Sequence, residues 1–313
     1  MIYEPLTMNF SKTKTLIVIA GPTAVGKTAA AIEVAKHFNT VVVSADSRQF
    51  FREMSIGTAK PNASELAQVK HYFIDSHSIT APFSVGDFER DCLMLLHELF
   101  KNHDYVVLAG GSGLYIKAIC EGFDDLPTAD PAIREKLNLE LEEKGLNYLQ
   151  EKLKLADPVY YQQVDLGNPQ RIIRALEVFE STGNPISSYR QATVNKRQFH
   201  VIKVALNMPR ELLYRRINDR VDIMLRQGLL AEVASLLPYR QLNALNTVGY
   251  AEIFDYMDGT ITLDKAVEMI KQNTRRFAKR QLTWFRKDQQ FIWFEAGAPN
   301  LTEKLVEAVE NVS

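Results

Sequence analysis

The sequence predicts an α/β fold built on a parallel sheet that is covered by helices on both faces. Three apolar runs have the length and character of buried strands: TLIVIA at 15–20, TVVVSADS at 40–47 and DYVVLAGG at 104–111. The helical patterns TAAAIEVAKHF at 28–38 and VGDFERDCLMLLHELFKNH at 85–103 separate them. Strands that alternate with helices indicate parallel pairing, because a parallel neighbour can be reached only through a crossover connection.

Length and composition describe an ordinary globular chain. Its 313 residues, 46% hydrophobic and 24% charged, are enough for one large domain or two of ordinary size. No apolar run approaches the roughly 20 residues of a membrane span, so we expect no membrane association. The 2 cysteines lie far apart, which favours a reducing cytoplasm. The net charge of −1 excludes a uniformly basic coat for nucleic acid but not a local basic surface.

A charged helical segment interrupts the strand pattern in the middle of the chain. Residues 124–197 have helical character, and Pro131, Gly145 and Pro158 stand where helices typically begin or end. We predict that this segment is an all-helical insertion domain. Residues 1–123 then form the first part of the core.

The core resumes after the insertion, over residues 198–313. FHVIKVALNM at 199–208 returns to a strand pattern, and helices are predicted from 209 to 286. FIWFE at 291–295 is short and apolar, as a last strand would be. This second part is therefore predicted to complete the sheet that the first part begins.

The octet GPTAVGKT at 21–28 fits G-x-x-x-x-G-K-[ST], the phosphate-binding P-loop. In that motif the backbone N–H groups cradle two phosphates, the lysine neutralises them and the last hydroxyl ligates Mg²⁺. The apolar strand before it and the helix after it are the context that the motif requires, which predicts a P-loop NTPase-like core. Most such loops hold ATP or GTP, but a diphosphate can also be a leaving group. The predicted diphosphate-binding residues are Gly21, Pro22, Thr23, Ala24, Val25, Gly26, Lys27 and Thr28, with Thr28 as the Mg²⁺ ligand.

Enzymes that hydrolyse nucleotides with this loop normally hold Mg²⁺ with an acid at the end of a neighbouring strand. The strand YVVLAGGSG at 105–113 ends without one. Asp46 does end a strand, within SADSRQFFREMSIGTAKP at 44–61. Kinases of small metabolites also carry an acid at that location, so the fold alone leaves a kinase and a different transferase both open.

Seven motifs, in order from about residue 15 to 286, resemble those of the tRNA dimethylallyltransferase family. They are GPTAVGKT at 21–28, DSRQFFREMSIGTAKP at 46–61, HYFID at 71–75, GGSGLY at 110–115, QRIIRALEV at 170–178, TVGY at 247–250 and TRRFAKRQLTWFR at 274–286. Members of that family transfer a dimethylallyl group from dimethylallyl diphosphate to N6 of the adenosine at tRNA position 37. The resemblance implies this activity, Mg²⁺ as cofactor and tRNA as partner, in a monomeric cytoplasmic enzyme.

The resemblance also assigns catalytic roles. It makes Asp46 the general base for the adenine amine, and Lys27 and Arg220 the cations that stabilise the departing diphosphate. Arg215 and Arg216 precede Arg220 closely enough to leave the choice of arginine open. The alternative for Asp46 is a turn aspartate, since Asp-Ser is common turn chemistry.

The acceptor adenosine lies in a stacked anticodon loop, so its amine can reach a buried carboxylate only if the base is flipped out. In the family the DSxQ segment contacts the flipped nucleotide, which here implicates Gln49, whose amide suits the edge of adenine. Ser112 stands where the family usually has threonine and keeps the hydroxyl. We therefore expect Ser112 near the amine or the diphosphate.

A basic stretch near the C-terminus predicts an RNA surface. It contains seven cations and no acid: Lys271, Arg275, Arg276, Lys279, Arg280, Arg286 and Lys287. On one helix they form a broad basic face, which favours phosphate contact. Phe277 and Trp284 follow a neighbouring stripe, and this spacing predicts that they pack into the core, although Trp284 belongs to the segment that the resemblance places on tRNA.

The resemblance also places the insertion against the anticodon stem, through Arg134, Arg171 and Arg174. An intrahelical pair between Arg174 and Glu177 is the alternative for one of them. NTVGYA at 246–251 matches the family more loosely. The complete predicted tRNA-binding set is Asp46, Ser47, Arg48, Gln49, Ser112, Arg134, Gln170, Arg171, Arg174, Gly249, Lys279, Arg280, Gln281, Trp284 and Arg286.

Three other functions remain as alternatives. An isopentenyltransferase that modifies free adenine nucleotides would share the P-loop and Asp46, but it would not need the basic helix or the insertion. A kinase of small metabolites would transfer the γ-phosphate of ATP. A non-catalytic RNA-binding protein is disfavoured because Lys27 and Asp46 are both present.

Overall fold

The computed structural model of the chain describes residues 14–122, 126–127, 130–190 and 197–312. Several sequence predictions fall partly outside this range. Residues 1–13 lie outside the described residues, and so do parts of both junctions of the predicted insertion.

The core contains a sheet of six described strands. In chain order they are β1 Thr15–Ala20, β2 Val42–Ser44, β3 His71–Tyr72, β4 Tyr105–Gly110, β5 His200–Asn207 and β6 Ile292–Glu295. Their order across the sheet is β3-β2-β4-β1-β5-β6, and every neighbouring pair is parallel. The predicted fold class is therefore confirmed. The two-residue strand β3 had not been predicted.

Fourteen helices are described, and they cover much of the remaining chain. They are α1 Lys27–His37, α2 Ala63–Gln68, α3 Val85–Leu99, α4 Gly113–Glu121, α5 Pro131–Lys144, α6 Leu146–Ala156, α7 Pro158–Tyr161, α8 Pro169–Thr182, α9 Ile186–Tyr189, α10 Arg210–Arg226, α11 Leu229–Ser235, α12 Ala251–Met257, α13 Leu263–Phe285 and α14 Leu301–Glu310. The C-terminal helix α14 had not been predicted. Helix α13 ends at Phe285, so Arg286 and Lys287 lie just beyond the predicted basic helix.

Strand β1 lies between β4 and β5, and all six of its residues are buried. Alternate side chains face opposite sides of the sheet. Ile17 and Ile19 join a core with helices α1, α10 and α14, while Leu16 and Val18 join a second core with α3 and α4. A strand that is buried on both faces reads as an unbroken apolar run, which is why TLIVIA was recognisable.

A third hydrophobic cluster lies under the segment that follows β2. Phe50, Phe51 and Met54 pack there against side chains of α10 to α13, including the fully buried Tyr250. This cluster fixes the course of the chain between Asp46 and α2. It thereby places the motif DSRQFFREMSIGTAKP beside the helices of the second part of the core.

The chain divides into two compact units, and the second, Glu121–Lys196, contains α5 to α9. It has its own core, with Leu137, Leu153 and Leu176 fully buried. The predicted helix boundaries are confirmed: α5 and α7 begin at prolines, and Gly145 follows the last residue of α5. The prediction from sequence had placed this unit at 124–197.

Two further findings bear on the composition. Cys92 and Cys120 are both buried, as expected from the apolar pattern around Cys92. None of the helices in the described part of the chain combines the length and apolar character that crossing a bilayer requires.

Candidate active site

The P-loop connects Ala20 at the end of β1 to Lys27 at the start of α1, at the carboxyl edge of the sheet. A side chain on Gly21 would place its Cβ 2.7 Å from the carbonyl oxygen of Leu206, so only glycine allows this approach. Gly26 has a φ of 105° and turns the chain into α1. The loop and the N-terminus of α1 thus adopt the arrangement that binds phosphates.

Lys27 lies inside this loop. Its Nζ donates a hydrogen bond to the carbonyl oxygen of Pro22 at 2.8 Å. Burial lowers the pKa of Lys27 to about 8, although Asp46 opposes that shift and Arg220 adds to it. The ammonium is therefore held where an incoming anion would restore its charge balance.

Arg220 reaches the same loop from α10. Its guanidinium donates to Thr23 Oγ1 at 3.4 Å and to the carbonyl oxygen of Ala59 at 3.3 Å. Burial lowers the pKa of Arg220. Arg215 and Arg216 are exposed on the same helix. Of the three arginines, Arg220 is hydrogen-bonded to the P-loop through Thr23, and the Arg216 guanidinium also comes near the loop, 3.9 Å from the place of a Cβ on Gly26.

Asp46 lies two residues after the end of β2 and is half-buried. Its Oδ1 accepts the backbone N–H of Arg48 at 3.0 Å, so the turn contact considered from sequence is present. Its negative charge also acts on Lys27 and Arg220, and it partly offsets the lowering of their pKa values by burial. Within the described chain Oδ2 makes no hydrogen bond, which leaves this oxygen able to accept a proton from a substrate.

Ser112 joins the ends of β2 and β4. Its Oγ accepts the backbone N–H of Ser47 at 2.9 Å, and its own N–H donates to the carbonyl oxygen of Ala45 at 3.3 Å. A side chain on Gly110 would place its Cβ 2.2 Å from that same oxygen. The glycines of GGSGLY therefore let the turn at Ser112 approach the segment after β2 closely.

The Gln49 amide has protein partners at both ends. Its Oε1 accepts from Ser44 Oγ at 3.2 Å, and its Nε2 donates to the carbonyl oxygens of Thr58 and Ala59 at 3.3 and 3.2 Å. These bonds fix the orientation of the amide. A base can still donate to the second lone pair of Oε1, whereas contact through Nε2 requires it to replace one of the two carbonyl partners.

Arg48 lies beside Asp46 in the segment that follows β2. Its guanidinium donates to the carbonyl oxygens of Ser47 at 3.1 Å and of Asn243 at 3.4 Å, while its buried Nε finds no hydrogen-bond partner among the described residues. Burial lowers the pKa of Arg48, and the nearby groups Tyr115 and Asp46 oppose that shift. A cation with an unsatisfied N–H beside Asp46 suits an anionic or polar ligand.

Gln281 on α13 braces two loops of the site rather than facing outward. Its Oε1 accepts the N–H of Thr23 at 2.9 Å, and its Nε2 donates to the carbonyl oxygen of Gly111 at 2.9 Å. The residue is only 7% exposed and both ends of its amide are bonded within the protein, so its contact with RNA stays a prediction. Trp284 packs over Gly113, where a Cβ would lie 2.2 Å from the indole.

The prediction that Phe277 and Trp284 are core residues is wrong, because each is 39% exposed. The Arg280 guanidinium lies 5.8 Å from the Phe277 ring centroid. Both aromatic residues occupy the border between the buried and the basic face of α13. Spacing alone could not show on which side of that border they fall.

The seven cations of the basic stretch divide into two groups. Lys271 pairs with Asp222 at 2.5 Å and Arg275 donates to Asn218 at 2.7 Å, so these two contact α10. The other five are exposed: Arg276, Lys279, Arg280, Arg286 and Lys287. The predicted basic surface is therefore narrower than the sequence indicated.

In the second unit, Glu177 organises the predicted RNA-binding arginines. Arg134 donates to both oxygens of this carboxylate, with 2.9 Å for the Nη2 bond, and Arg174 lies 3.5 Å from it. The alternative pair of Arg174 with Glu177 is therefore present. Gln170 and Arg171 are exposed beside them.

Gly249 is buried, has a φ of 98° and donates its N–H to Glu252 at 2.8 Å. Its left-handed backbone explains why glycine stands there. The N–H is thus already used within the protein, so RNA contact through it would require this bond to break.

A family model described as IPP transferase matches residues 49–288. The chain belongs to the IPP transferase family. The resemblance inferred from the seven motifs is thereby confirmed. Among curated relatives of this family member, the tRNA dimethylallyltransferase of Christiangramia forsetii is 55% identical over 280 residues, covering 90% of this chain and 93% of the relative. That of Cytophaga hutchinsonii is 50% identical over 295 residues, covering 94% and 97%.

Solved structures agree with this family assignment. The full-length tRNA isopentenylpyrophosphate transferase of Bacillus halodurans is 37% identical, with a TM-score of 0.70 over 96% of each chain. A eukaryotic dimethylallyltransferase described as acting on tRNA is 23% identical, with a TM-score of 0.80 over 96% of this chain and 79% of its own. At that identity the second likeness supports the fold.

Proposed function

We propose that this chain transfers the dimethylallyl group of dimethylallyl diphosphate to N6 of the adenosine at position 37 of tRNA. The observation that carries the proposal is the position of Asp46 beside two half-buried cations, Lys27 and Arg220, at one edge of the sheet. This arrangement offers a base to one substrate and positive charge to the other. Membership of the IPP transferase family supports it.

In the proposed reaction the adenine N6 attacks the allylic carbon, the bond from that carbon to oxygen breaks, and inorganic diphosphate leaves. The proton of the amine passes to a carboxylate oxygen of Asp46. Negative charge accumulates on the departing diphosphate, where Lys27, the loop N–H groups and Arg220 stabilise it. The P-loop thus serves a leaving group, and no hydrolytic water needs to be positioned.

Mg²⁺ fits this site as an additional positive charge. Thr28, in the first turn of α1, supplies a hydroxyl oxygen, and oxygen is the ligand that Mg²⁺ prefers. In the described chain no group of three or more His, Cys, Asp or Glu side chains could hold a metal ion by itself. The metal would therefore take most of its ligands from the diphosphate rather than from the protein. When bound, Mg²⁺ neutralises charge on the leaving group.

The RNA acceptor is supported by the exposed cations at the end of α13. A transferase that acts on free adenine nucleotides has no need of a basic surface outside its pocket. Five exposed cations next to Gln281 and Trp284, which border the site, suit an RNA that extends beyond the reacting base. We further infer that the enzyme is a monomer that acts in the cytoplasm.

Mass spectrometry of tRNA nucleosides tests this function. Unmodified tRNA is incubated with the protein, Mg²⁺ and dimethylallyl diphosphate, and we expect N6-(dimethylallyl)adenosine from position 37. Parallel reactions contain AMP in place of tRNA, or ATP in place of the allylic donor. Modification of AMP but not of tRNA would favour the free-nucleotide enzyme, and stoichiometric transfer of γ-phosphate would favour a kinase.

A further inference from the structure

Glu232 on α11 holds a loop of the site through four hydrogen bonds. Its carboxylate accepts the backbone N–H groups of Ser55, Ile56 and Gly57 at 3.0, 2.7 and 3.0 Å. It also accepts the hydroxyl of Tyr250 at 2.6 Å. Three consecutive N–H groups and a phenol on one carboxylate make a charge-assisted anchor, in which each bond is stronger than a neutral one.

Tyr250 closes this anchor from the other side. It is fully buried, and a Cβ on Gly57 would lie 2.5 Å from its ring. Burial raises the pKa of Tyr250, and the neighbouring Glu232 carboxylate raises it further. The phenol therefore remains a hydrogen-bond donor. The loop has no room to shift toward α12.

The anchored loop presents two carbonyl groups to the active site. The next residues, Thr58 and Ala59, both accept from the Gln49 amide, and Ala59 also accepts from Arg220. A buried guanidinium is costly unless its N–H groups have partners. The direction of Arg220 thus depends on where the Ala59 carbonyl is held.

We propose that Glu232 is a positioning residue, which fixes Arg220 toward the diphosphate and Gln49 toward the acceptor base by anchoring the loop at Ser55–Gly57. The inference rests on the proposed function, because it assigns Arg220 to the donor and Gln49 to the acceptor. Glu232 itself contacts neither substrate in this account. It acts by keeping a charge-stabilising group in place before the reaction, which avoids reorganisation during it.

Glu232→Gln tests this inference while keeping the volume of the side chain. The amide carries no charge, and its NH₂ group cannot accept from the loop N–H groups. We expect kcat with tRNA to fall and the Kd for inorganic diphosphate with Mg²⁺ to rise, each on the order of tenfold. The salt dependence of tRNA binding should not change, because the substitution leaves the exposed cations of α13 in place. Glu211→Gln, on the exposed first turn of α10, is the matched control.

A double-mutant cycle with Arg220→Ala separates positioning from general destabilisation. If Glu232 acts through Arg220, Glu232→Gln should weaken diphosphate binding by less than twofold when Arg220 is already absent. Equal effects in both backgrounds would overturn the proposal. So would parental kcat and diphosphate affinity in Glu232→Gln.

Two measurements keep the result interpretable. Tyr250→Phe removes one of the four bonds and keeps the ring, so it should show the same pattern with a smaller, roughly twofold to fivefold effect even if Glu232→Gln does not fold. A parental-like Tyr250→Phe variant would then contradict the inference. Diphosphate binding is measured by calorimetry without tRNA, so failure of the parent protein to modify tRNA would sink the proposed function without deciding the role of Glu232.

Discussion

The cations at the P-loop and those on α13 differ in exposure and in their partners. Lys27 and Arg220 are half-buried and hydrogen-bonded to backbone carbonyl groups, and burial lowers the pKa of each. Lys279 and Arg280 are exposed on a helix surface. A buried cation is costly without a counter-ion, so it favours one small anion at a defined position. Exposed cations are inexpensive and mobile, which suits the distributed charge of a polyanion. This contrast supports the proposal that the diphosphate binds at the first group and the RNA backbone at the second.

The largest expected effect separates the chemical step from both kinds of binding. Asp46→Asn removes the proton acceptor and leaves every cation in place, so single-turnover transfer should slow by about 10²- to 10⁴-fold. Binding of tRNA and of inorganic diphosphate should remain nearly parental. Rapid-quench kinetics and binding measurements on the same preparation check this, and a fully active variant would remove Asp46 from the role of base.

A pH profile tests the cations at the P-loop. Lys27 has a pKa of about 8 in the free protein, so it is charged below that pH and loses its charge as the pH rises through it. We expect kcat/KM for the allylic donor to fall above pH 8, approaching tenfold for each pH unit. In Lys27→Arg the falling limb should disappear, because a guanidinium stays protonated. An unchanged limb in that variant would assign the titration to another group.

Measuring tRNA binding at increasing salt concentration tests the exposed cations of α13. Lys279→Gln with Arg280→Gln should weaken tRNA binding several-fold near physiological salt and reduce the slope of log Kd against log salt by about 0.7 for each lost contact. Lys271→Gln is the matched control, because Lys271 already pairs with Asp222. Equal loss of slope in the control would mean that the division into paired and exposed cations does not describe RNA binding.

The smallest effect on transfer is expected for substitutions in the second unit, whose arginines belong neither to the P-loop cations nor to those of α13. Arg134→Ala leaves the buried Glu177 carboxylate without two of its hydrogen bonds, so the free energy of unfolding should fall by about 1 to 3 kcal/mol. Arg171→Ala, at an exposed neighbouring position, should leave it unchanged. Denaturant unfolding followed by circular dichroism compares them. Equal stability of both variants would show that the Arg134 pair contributes nothing.

The sequence was most informative where a feature depends on residues that are close together in the chain. TLIVIA could be recognised because a strand buried on both faces is apolar throughout, and the P-loop because its glycines serve backbone positions within eight residues. Strand β3 has two half-buried residues and no pattern that distinguishes it from a loop. Its existence depends on pairing with β2, which only the folded chain reveals.

The site was less predictable where partners are distant along the chain. Glu232 in AEVASLL reads as an ordinary helical glutamate, although its three N–H partners lie about 175 residues earlier. Gln281 belongs to the motif TRRFAKRQLTWFR, and the family resemblance of that motif led to the expectation of RNA contact. Its actual partners, Thr23 and Gly111, belong to segments that no helical period connects to it.

The bond between Thr23 and Gln281 joins residues that are 258 positions apart. A ribosome makes the P-loop among its first products and α13 among its last. The brace on the loop can therefore form only when nearly all of the protein has been synthesised. An interrupted translation product would carry the complete P-loop sequence yet lack the contact that holds it.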